Sequence, residues 1–322
     1  MSKAPSAKSL REQSTAGLVY AISAYGLWGL LPGYFILLQP SGPYEIVAWR
    51  VILSVVFCVL LITVVRGWRR TGALLRDRRV MGWLALAAAF IAVNWTVFVY
   101  ATATDQVVEA SLGYFINPLI TILLGVIFLR ERMRPLQWAA VGVAFIAVLV
   151  LAIGHGSFPW VALMLAFSFG LYGLVKNRTG GRVDAVSGLA IETAYLTPFA
   201  ALVLVGIGLG WQFLDPAGIG LTFAVLDPWH TVALSLAGVV TTVPLMLFAA
   251  GVRRLPLSYV GLTQFLAPVM QFLTGVLILG EPMPLERWIG FGIVWIALIL
   301  LVIDMVRAIM QHRRAADLPE LT

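Results

Sequence analysis

The sequence predicts an all-α polytopic membrane protein, with ten transmembrane helices arranged as two inverted five-helix repeats. Three observations predict this fold: the apolar composition, an internal duplication, and the distribution of positive charge along the chain. Of 322 residues, 61% are hydrophobic and only 11% are charged, whereas a soluble protein carries about a quarter charged residues. Apolar runs of about 20 residues, long enough to cross a bilayer core of about 30 Å, fill most of the chain.

The apolar runs define ten expected spans and two tails. The spans cover residues 17–38, 44–65, 80–102, 107–129, 135–153, 158–176, 185–207, 229–251, 257–279 and 285–304. The chain therefore divides into a tail at 1–16, a first repeat at 17–153, a second repeat at 158–304 and a tail at 305–322. The first apolar segment is too long for a signal peptide, so we expect it to remain as the first helix.

A duplicated stretch with a proline inside a helix is the clearest internal feature. LGYFINPLITILLGVIFLRERM, from Leu112, aligns without gaps with LTQFLAPVMQFLTGVLILGEPM, from Leu262, and 13 of 36 positions are identical over the full match. A proline inside a helix removes a backbone donor and displaces the carbonyl four residues earlier. In hydrocarbon, such a carbonyl needs protein or a wet cavity beside it. Pro118 and Pro268 therefore indicate either a packing kink or a polar cavity near the membrane midplane.

The duplicated helices each carry a small and polar face, because residues three and four apart share one side of a helix. The two faces are Ser111, Tyr114, Pro118, Thr121 and Gly125 in the first copy, and Gly261, Gln264, Pro268, Gln271 and Gly275 in the second. We expect both faces to line a central cavity.

Positive charge predicts the orientation in the membrane. Of the 22 Lys and Arg residues, 20 fall in the two tails and the even-numbered loops. Because cytoplasmic loops are enriched in Lys and Arg, both termini are expected in the cytoplasm. Five helices per repeat is an odd number, so the second copy enters from the opposite face. Inverted repeats of this kind are typical of secondary transporters.

Charged residues inside predicted spans are rare and are candidates for function. Arg50 lies in the outer part of span 2 and Glu192 in the inner third of span 7. The two residues are interpreted either as a structural ion pair or as charges that bind substrate or gate the pathway. Glu45, Glu109 and His230 are gating or proton-acceptor candidates, and for Glu109 and His230 the alternative is a solvated interface residue.

Acidic, amide and aromatic residues complete the candidates. Glu131 and Glu281 are expected to bind neighbouring helix N-termini or loop arginines, an architectural role. Deep amides either bind substrate or join helices by hydrogen bonds, and deep aromatic residues either wall the pathway or pack in the core. The full set of substrate-pathway candidates is Tyr25, Trp28, Arg50, Asn94, Trp95, Ser111, Tyr114, Asn117, Pro118, Glu192, Gln264, Pro268 and Gln271.

Several motifs are absent, which excludes function classes. The sequence has no GxxxxGK[ST], HExxH or GxSxG motif, a single cysteine (Cys58), and three histidines far apart in the chain. We therefore expect no enzyme activity, no cofactor and no metal. The basic residues flank apolar spans, so nucleic acid is not an expected partner.

Three segments stand out as motifs: EASLGYFINPL, from Glu109, which is the most specific, EIVAWR, from Glu45, and GLTQFLAPVMQFL, from Gly261. These segments resemble RarD-like permeases of the EamA family, within the drug/metabolite transporter superfamily. The resemblance covers nearly the whole chain. It implies ten helices in two EamA repeats and a permease of the bacterial inner membrane, and it transfers no set of substrate-binding residues.

The leading functional hypothesis is a secondary transporter for a small metabolite or an amphipathic drug-like molecule, working by alternating access. The lipid bilayer and the small-molecule substrate are the expected partners, and transport is expected to be driven either by a coupling proton or by the substrate gradient. A membrane sensor or scaffold that keeps a transporter fold is the alternative function, and an intramembrane enzyme is third. Short cytoplasmic loops would leave a protein partner only the basic segment 66–79 to bind.

Overall fold

The computed structural model describes residues 7–129, 134–154, 158–179, 183–252 and 263–316, which form helices and loops with no β-strand among them. The helices are α1 (Ala7–Gly29), α2 (Leu31–Leu37), α3 (Pro43–Val64), α4 (Trp68–Arg76), α5 (Arg78–Ala103), α6 (Val107–Leu129), α7 (Pro135–Gly154), α8 (Trp160–Thr179), α9 (Ala185–Gly208), α10 (Pro228–Ser235), α11 (Ala237–Val252), α12 (Leu266–Leu273) and α13 (Leu285–Ala316). A π-helical turn, Thr274–Ile278, directly follows α12.

Six segments of the described chain are long and apolar enough to cross a membrane. They are Pro43–Val64, Arg78–Ala103, Val107–Phe128, Ala185–Gly208, Pro228–Phe248 and Leu285–Asp304. The pair α1 and α2, bent by 40°, counts as a seventh if it is one span. Three shorter apolar segments are Pro135–Leu151, Trp160–Lys176 and Leu266–Ile278. The expectation of an all-helical membrane protein is confirmed. By helix length and composition alone, the described residues contain six or seven spans, fewer than the ten that were expected.

Aspartate side chains cap three of these helices at their N-termini. Asp77 and Asp184 accept hydrogen bonds from backbone N–H groups in the first turns of α5 and α9. Asp227 accepts from the N–H of His230 at 2.9 Å, and this bond holds the pKa of the Asp227 carboxyl below its ordinary value. Each cap satisfies helix N–H groups that have no partner within the helix, and so fixes where the helix begins.

Pro32 divides the first predicted span into α1 and α2. Because proline has no N–H, the carbonyl of Trp28, four residues earlier, loses its helical partner. The side-chain amide of Gln271, in α12, donates to that carbonyl from Nε2 at 3.2 Å. A residue of the second half of the chain therefore replaces the bond that the proline removes.

The basic segment between the second and third predicted spans contains a helix that was expected to be a loop. Its arginines, including Arg69 and Arg76 of α4, are exposed. On the opposite side, the buried hydroxyl of Thr71 forms a hydrogen bond with Ser187 at 2.9 Å. This short helix therefore carries exposed arginines and is bound to α9 through the hydroxyl of Thr71.

The helices pack in pairs that connect the two halves of the chain. Helix α3 contacts α9 and α11, α5 contacts α8 and α9, α6 contacts α8 and α12, α1 contacts α11 and α12, and α7 contacts α13. Glycines allow two of these approaches. A Cβ on Gly113 would lie 2.6 Å from the carbonyl oxygen of Ala162, and one on Gly238 would overlap the carbonyl of Leu53. Small residues of this kind permit close helix packing where lipid supplies no hydrophobic driving force.

Candidate functional site

A cavity with a volume of about 90 Å³ lies between helices of both halves of the chain. Its lining consists of Tyr25, Trp28, Leu31, Arg50, Ile91, Asn94, Trp95, Phe98, Tyr114, Asn117, Phe169, Thr241, Leu245, Gln264, Ala267, Pro268 and Gln271. Most of these residues are aromatic or aliphatic, and Arg50 is the one charged residue among them. An apolar cavity with a few convergent polar groups is the usual form of a small-molecule site.

Arg50 lies within α3 and is held in place without a carboxylate. Its Nε donates to the hydroxyl of Thr241 at 2.7 Å, and its guanidinium carbon lies 4.4 Å from the ring centroid of Trp95. Its Nη1 is buried and has no hydrogen-bond partner. No ion pair joins Arg50 to a carboxylate in the described part of the chain. A hydroxyl and an aromatic face therefore hold the guanidinium, and no carboxylate among the described residues compensates its charge.

Glu192 lies outside the cavity lining and does not pair with Arg50. Lys176 donates to its carboxylate from Nζ at 2.6 Å, and the hydroxyl of Tyr172 donates at 3.2 Å. Lys176 belongs to the last turns of α8, and a lysine side chain is long enough to extend its charge inward from a helix end. The candidate pair of Arg50 and Glu192 is thus replaced by an ion pair between α8 and α9.

The two deep amides line the cavity and also join helices. Asn94 donates from Nδ2 to the carbonyl of Leu165 at 3.2 Å and accepts from the Tyr114 hydroxyl at 3.0 Å. Asn117 donates to the carbonyl of Ala166 at 3.1 Å. Both amides therefore fix α8 against its neighbours, and this explains their burial without a ligand. The same bonds hold the Tyr114 ring at the cavity wall.

Aromatic rings and one glutamine form the wall that α1 and α12 contribute. The rings of Tyr25 and Trp28 meet edge to face, with centroids 5.2 Å apart, and Phe248 packs against both rings. Gln271 uses its Nε2 for the Trp28 carbonyl, while its Oε1 is buried without a partner. Two of the residues that line the cavity therefore each carry a buried polar atom without a partner, the donor Nη1 of Arg50 and the acceptor Oε1 of Gln271.

The small and polar faces of the duplicated helices line the cavity only in part. Ser111 is buried and donates to the carbonyl of Val108 in its own helix at 2.7 Å; it lies outside the lining, as does the buried Pro118. Gly275 packs against Val108 instead. A local hydrogen bond therefore accounts for Ser111, and a helix–helix contact accounts for Gly275. Gly261 lies outside the described residues.

Two of the gating candidates belong to a buried polar network away from the cavity. The carboxylate of Glu45 accepts from the backbone N–H and the hydroxyl of Thr222, both at 2.9 Å. The Thr222 hydroxyl also bonds with Ser41 at 2.6 Å, and Ser41 bonds with Nε2 of His230 at 3.0 Å. This Glu45 network fastens the loop between α9 and α10 to the start of α3.

The remaining acidic candidates bind helix N-termini. Glu109 accepts from the backbone N–H of Val161 at 3.2 Å. Glu281 accepts from the N–H groups of Val107 and Val108 at 2.7 and 3.0 Å, which is the architectural role expected for it. A carboxylate at a helix N-terminus is stabilised by unsatisfied N–H groups and the helix dipole. Glu131, its counterpart in the duplication, lies outside the described residues.

Comparison with known proteins identifies the family. A model of the EamA-like transporter family matches residues 15–153 and again residues 158–303. The chain belongs to the EamA-like transporter family. Protein RarD of Streptomyces exfoliatus is 45% identical over 306 residues, covering 95% of this chain and 94% of the relative. Protein RarD of Salmonella typhimurium is 40% identical over 295 residues, covering 92% of this chain and 97% of the relative.

A solved structure supports the same fold for this EamA-like chain. It is described only as the crystal structure of a protein, and it superposes with a TM-score of 0.58 at 16% sequence identity. The match covers 91% of this chain and 99% of that one. Identity this low supports the fold and carries nothing about substrate. The family match and the RarD relatives together show that the chain is a RarD-like membrane transporter.

Sequence reasoning missed several cavity residues of this EamA-like protein, although the duplication held the signal for them. Leu245 and Ala267 lie 150 positions after Trp95 and Asn117, which were candidates, and all four line the cavity. Thr241 stands in the same relation to Ile91. Applying the offset of the repeat to each candidate would have found Leu245 and Ala267. Phe98 and Phe169 had no such mate among the candidates.

Proposed function

We propose that this protein is a secondary transporter that moves a small metabolite or an amphipathic drug-like molecule across the bacterial inner membrane by alternating access. The cavity around Arg50 is its substrate site. One observation carries the proposal: matched positions of the two repeats line a single cavity at their interface. Secondary transporters built from inverted repeats bind substrate at that place.

The matched positions are four pairs, each separated by 150 residues in the sequence. The pairs are Ile91 with Thr241, Trp95 with Leu245, Tyr114 with Gln264, and Asn117 with Ala267. In each pair one residue comes from the first repeat and the other from the second. A two-fold axis that relates the repeats would pass through such a cavity, which supports a site shared by both halves.

Helix contacts give the same relation between the repeats. In the duplication, α8, α6 and α5 correspond to α1, α12 and α11, respectively. Helix α8 contacts α6 and α5, and α1 correspondingly contacts α12 and α11. Likewise, α3 and α11 correspond to α9 and α5. Helix α3 contacts α11, and α9 correspondingly contacts α5. This agreement supports ten spans in two inverted repeats, in which the three shorter apolar helices also cross the membrane. The Lys and Arg bias supports cytoplasmic termini.

The residues that line the cavity indicate what drives transport. Among the described lining residues there is no carboxyl or imidazole group. A proton carried together with substrate needs a group that titrates between the two sides of the membrane. The lining therefore supports movement down the substrate gradient.

Filling the cavity provides the test. Ala267 lines the cavity, and a phenylalanine at this position would occupy much of its volume. Ala201 is an exposed position on α9, so Ala201→Phe adds the same side chain outside the cavity. Proteoliposomes loaded with a bacterial metabolite extract are assayed for efflux by mass spectrometry.

We expect the unchanged protein to release at least one small metabolite with saturable kinetics. Ala267→Phe should abolish that flux, and Ala201→Phe should leave it within about twofold of the unchanged protein. Absence of saturable flux from well-folded protein, or normal flux through Ala267→Phe, would overturn the proposal. A partner protein that co-purifies in stoichiometric amount, without any flux, would instead favour a scaffold.

A further inference from the structure

Arg50 gives the cavity a positive charge that no described residue neutralises. A guanidinium stays protonated under physiological conditions, so this charge cannot be avoided by losing a proton. The candidate counter-ion, Glu192, is already bound by Lys176 and Tyr172. Thr241 and Trp95 stabilise the guanidinium through a hydrogen bond and a cation–π contact, but neither group carries negative charge.

An uncompensated charge in a low-dielectric cavity selects the charge of its ligand. Coulomb interactions are several times stronger in such surroundings than in water. An anion in the cavity would gain this interaction, while a cation would be repelled. The buried Nη1 of Arg50, which has no partner, supplies a donor that such an anion would satisfy.

The other walls determine what the anion must carry. Trp28, Phe98, Phe169 and Leu245 present aromatic and aliphatic surface to the same cavity. Bare inorganic anions would lose hydration against these walls and gain little from them. A ligand with one negative charge and an apolar body matches both parts of the lining. A single guanidinium also neutralises one negative charge, whereas a dianion would leave a net charge buried.

We propose that the cavity selects small organic monocarboxylates. The carboxylate binds the guanidinium of Arg50, whose Nε is held by Thr241 and whose Nη1 has no partner, through charge-assisted hydrogen bonds. The apolar body of the ligand packs against the aromatic walls. This substrate class rests on the proposed transport function, since it assigns the ligand of the same cavity.

Matched acids and amides test the charge alone, because the two groups have nearly the same shape. The protein in lipid nanodiscs at pH 7 is titrated by calorimetry with benzoate and benzamide, phenylacetate and phenylacetamide, and 4-methylpentanoate and its amide. We expect at least one acid to bind with saturation, and its amide to bind about tenfold or more weakly, as expected for loss of a charged hydrogen bond.

Arg50 variants connect this preference to the guanidinium. Arg50→Gln should weaken binding of the acid by about 10- to 100-fold and leave the amide unchanged, so that the preference disappears. Arg50→Lys keeps the charge but loses the planar fork, so it should retain a reduced preference even if Arg50→Gln fails to fold. Arg79→Gln makes the same change at an exposed arginine and should bind both ligands as the unchanged protein does.

Two results would overturn the proposed selectivity for monocarboxylates and leave the proposed transport function intact. One is equal binding of acids and amides, or no binding of any acid, by a protein whose flux of neutral metabolites is blocked by Ala267→Phe. The other is an acid preference that persists in Arg50→Gln. Loss of all saturable flux, together with normal acid binding, would instead overturn the transport function and leave the anion site standing.

Discussion

The carboxylate of Glu45, in the first turn of α3, binds Thr222 through two hydrogen bonds of 2.9 Å, although the residues are 177 positions apart. The backbone N–H of Phe223 donates to the same carboxylate at 3.2 Å. Glu45 is only 1% exposed. A buried charge of this kind is stable because three donors replace the water it has lost. The Glu45 network therefore keeps the loop between α9 and α10 against the helices.

Removing this carboxylate should release the loop. Glu45→Ala leaves the N–H groups of Thr222 and Phe223 without their acceptor, and we expect a loss of about 2–3 kcal/mol in the free energy of unfolding. Thermal unfolding in detergent measures the loss. Hydrogen exchange should accelerate at these two amides in particular. Thr222→Val keeps the backbone N–H bond to Glu45 but removes the hydroxyl, with its bonds to Glu45 and Ser41, and should cost about 1–2 kcal/mol. Unchanged exchange in Glu45→Ala would show that the loop is held by other contacts.

The ion pair of Lys176 and Glu192 gives a second prediction. Lys176→Met would leave a fully buried carboxylate with only the Tyr172 hydroxyl. Breaking a buried pair costs about 3–5 kcal/mol, and the low end applies because the Lys176 side chain is 30% exposed. The double variant Lys176→Met with Glu192→Met should recover most of the lost thermal stability, because hydrophobic replacement removes the desolvation cost of both charges.

Arg50 provides the control for this pair. Exchanging the charges of Arg50 and Glu192 should rescue neither stability nor transport, because the two side chains bind different partners in the structure. Exchanging Lys176 and Glu192 should restore part of the stability that either single charge reversal loses. Rescue by the first exchange but not by the second would mean that Arg50 is the true partner of Glu192.

The sequence predicted the membrane helices because apolar length and charge bias act locally along the chain. It also indicated much of the cavity lining, since Arg50, Trp95 and Tyr114 stand out as polar or aromatic residues within apolar spans. The sequence did not predict which side chains become partners through tertiary packing. Lys176 was counted with the loop charges, and nothing in the sequence showed that its side chain turns back along α8 to Glu192.

For the gating candidates, too, the sequence identified the residues but did not predict their tertiary contacts. Glu45 and His230 were recognised as titratable residues near the ends of spans, and their chemistry alone did not decide their roles. Their shared contacts depend on Thr222, which belongs to a long Gly- and Pro-containing loop without periodicity. The conformation of such a loop is set by the contacts it makes, so its sequence does not predict the contacts in advance.

Gln271 and Pro32 should be energetically coupled, because the glutamine supplies the bond that the proline removes. Gln271→Leu leaves the Trp28 carbonyl unsatisfied and should lower the thermal stability, by about 1–2 kcal/mol in unfolding free energy. In a Pro32→Ala background the N–H of residue 32 can bind that carbonyl, so Gln271→Leu should cost about 1 kcal/mol less. Equal costs in both backgrounds would show that the glutamine acts only through other contacts.

Close helix approach gives the last prediction, which compares two glycines. A Cβ on Gly238 would overlap the backbone of Leu53 and Ser54, whereas one on Gly173 would have no atom within 4 Å. Backbone cannot move aside as a flexible side chain does, so Gly238→Ala should force α11 away from α3 and cost about 1–3 kcal/mol. Gly173→Ala should instead stabilise α8 by up to about 1 kcal/mol, because alanine favours the helix over glycine. Thermal unfolding of the two variants side by side measures the difference. Equal unfolding midpoints would mean that α3 and α11 are not in backbone contact at Gly238. The close packing of these two helices would then not explain the contact between Arg50 of α3 and Thr241 of α11.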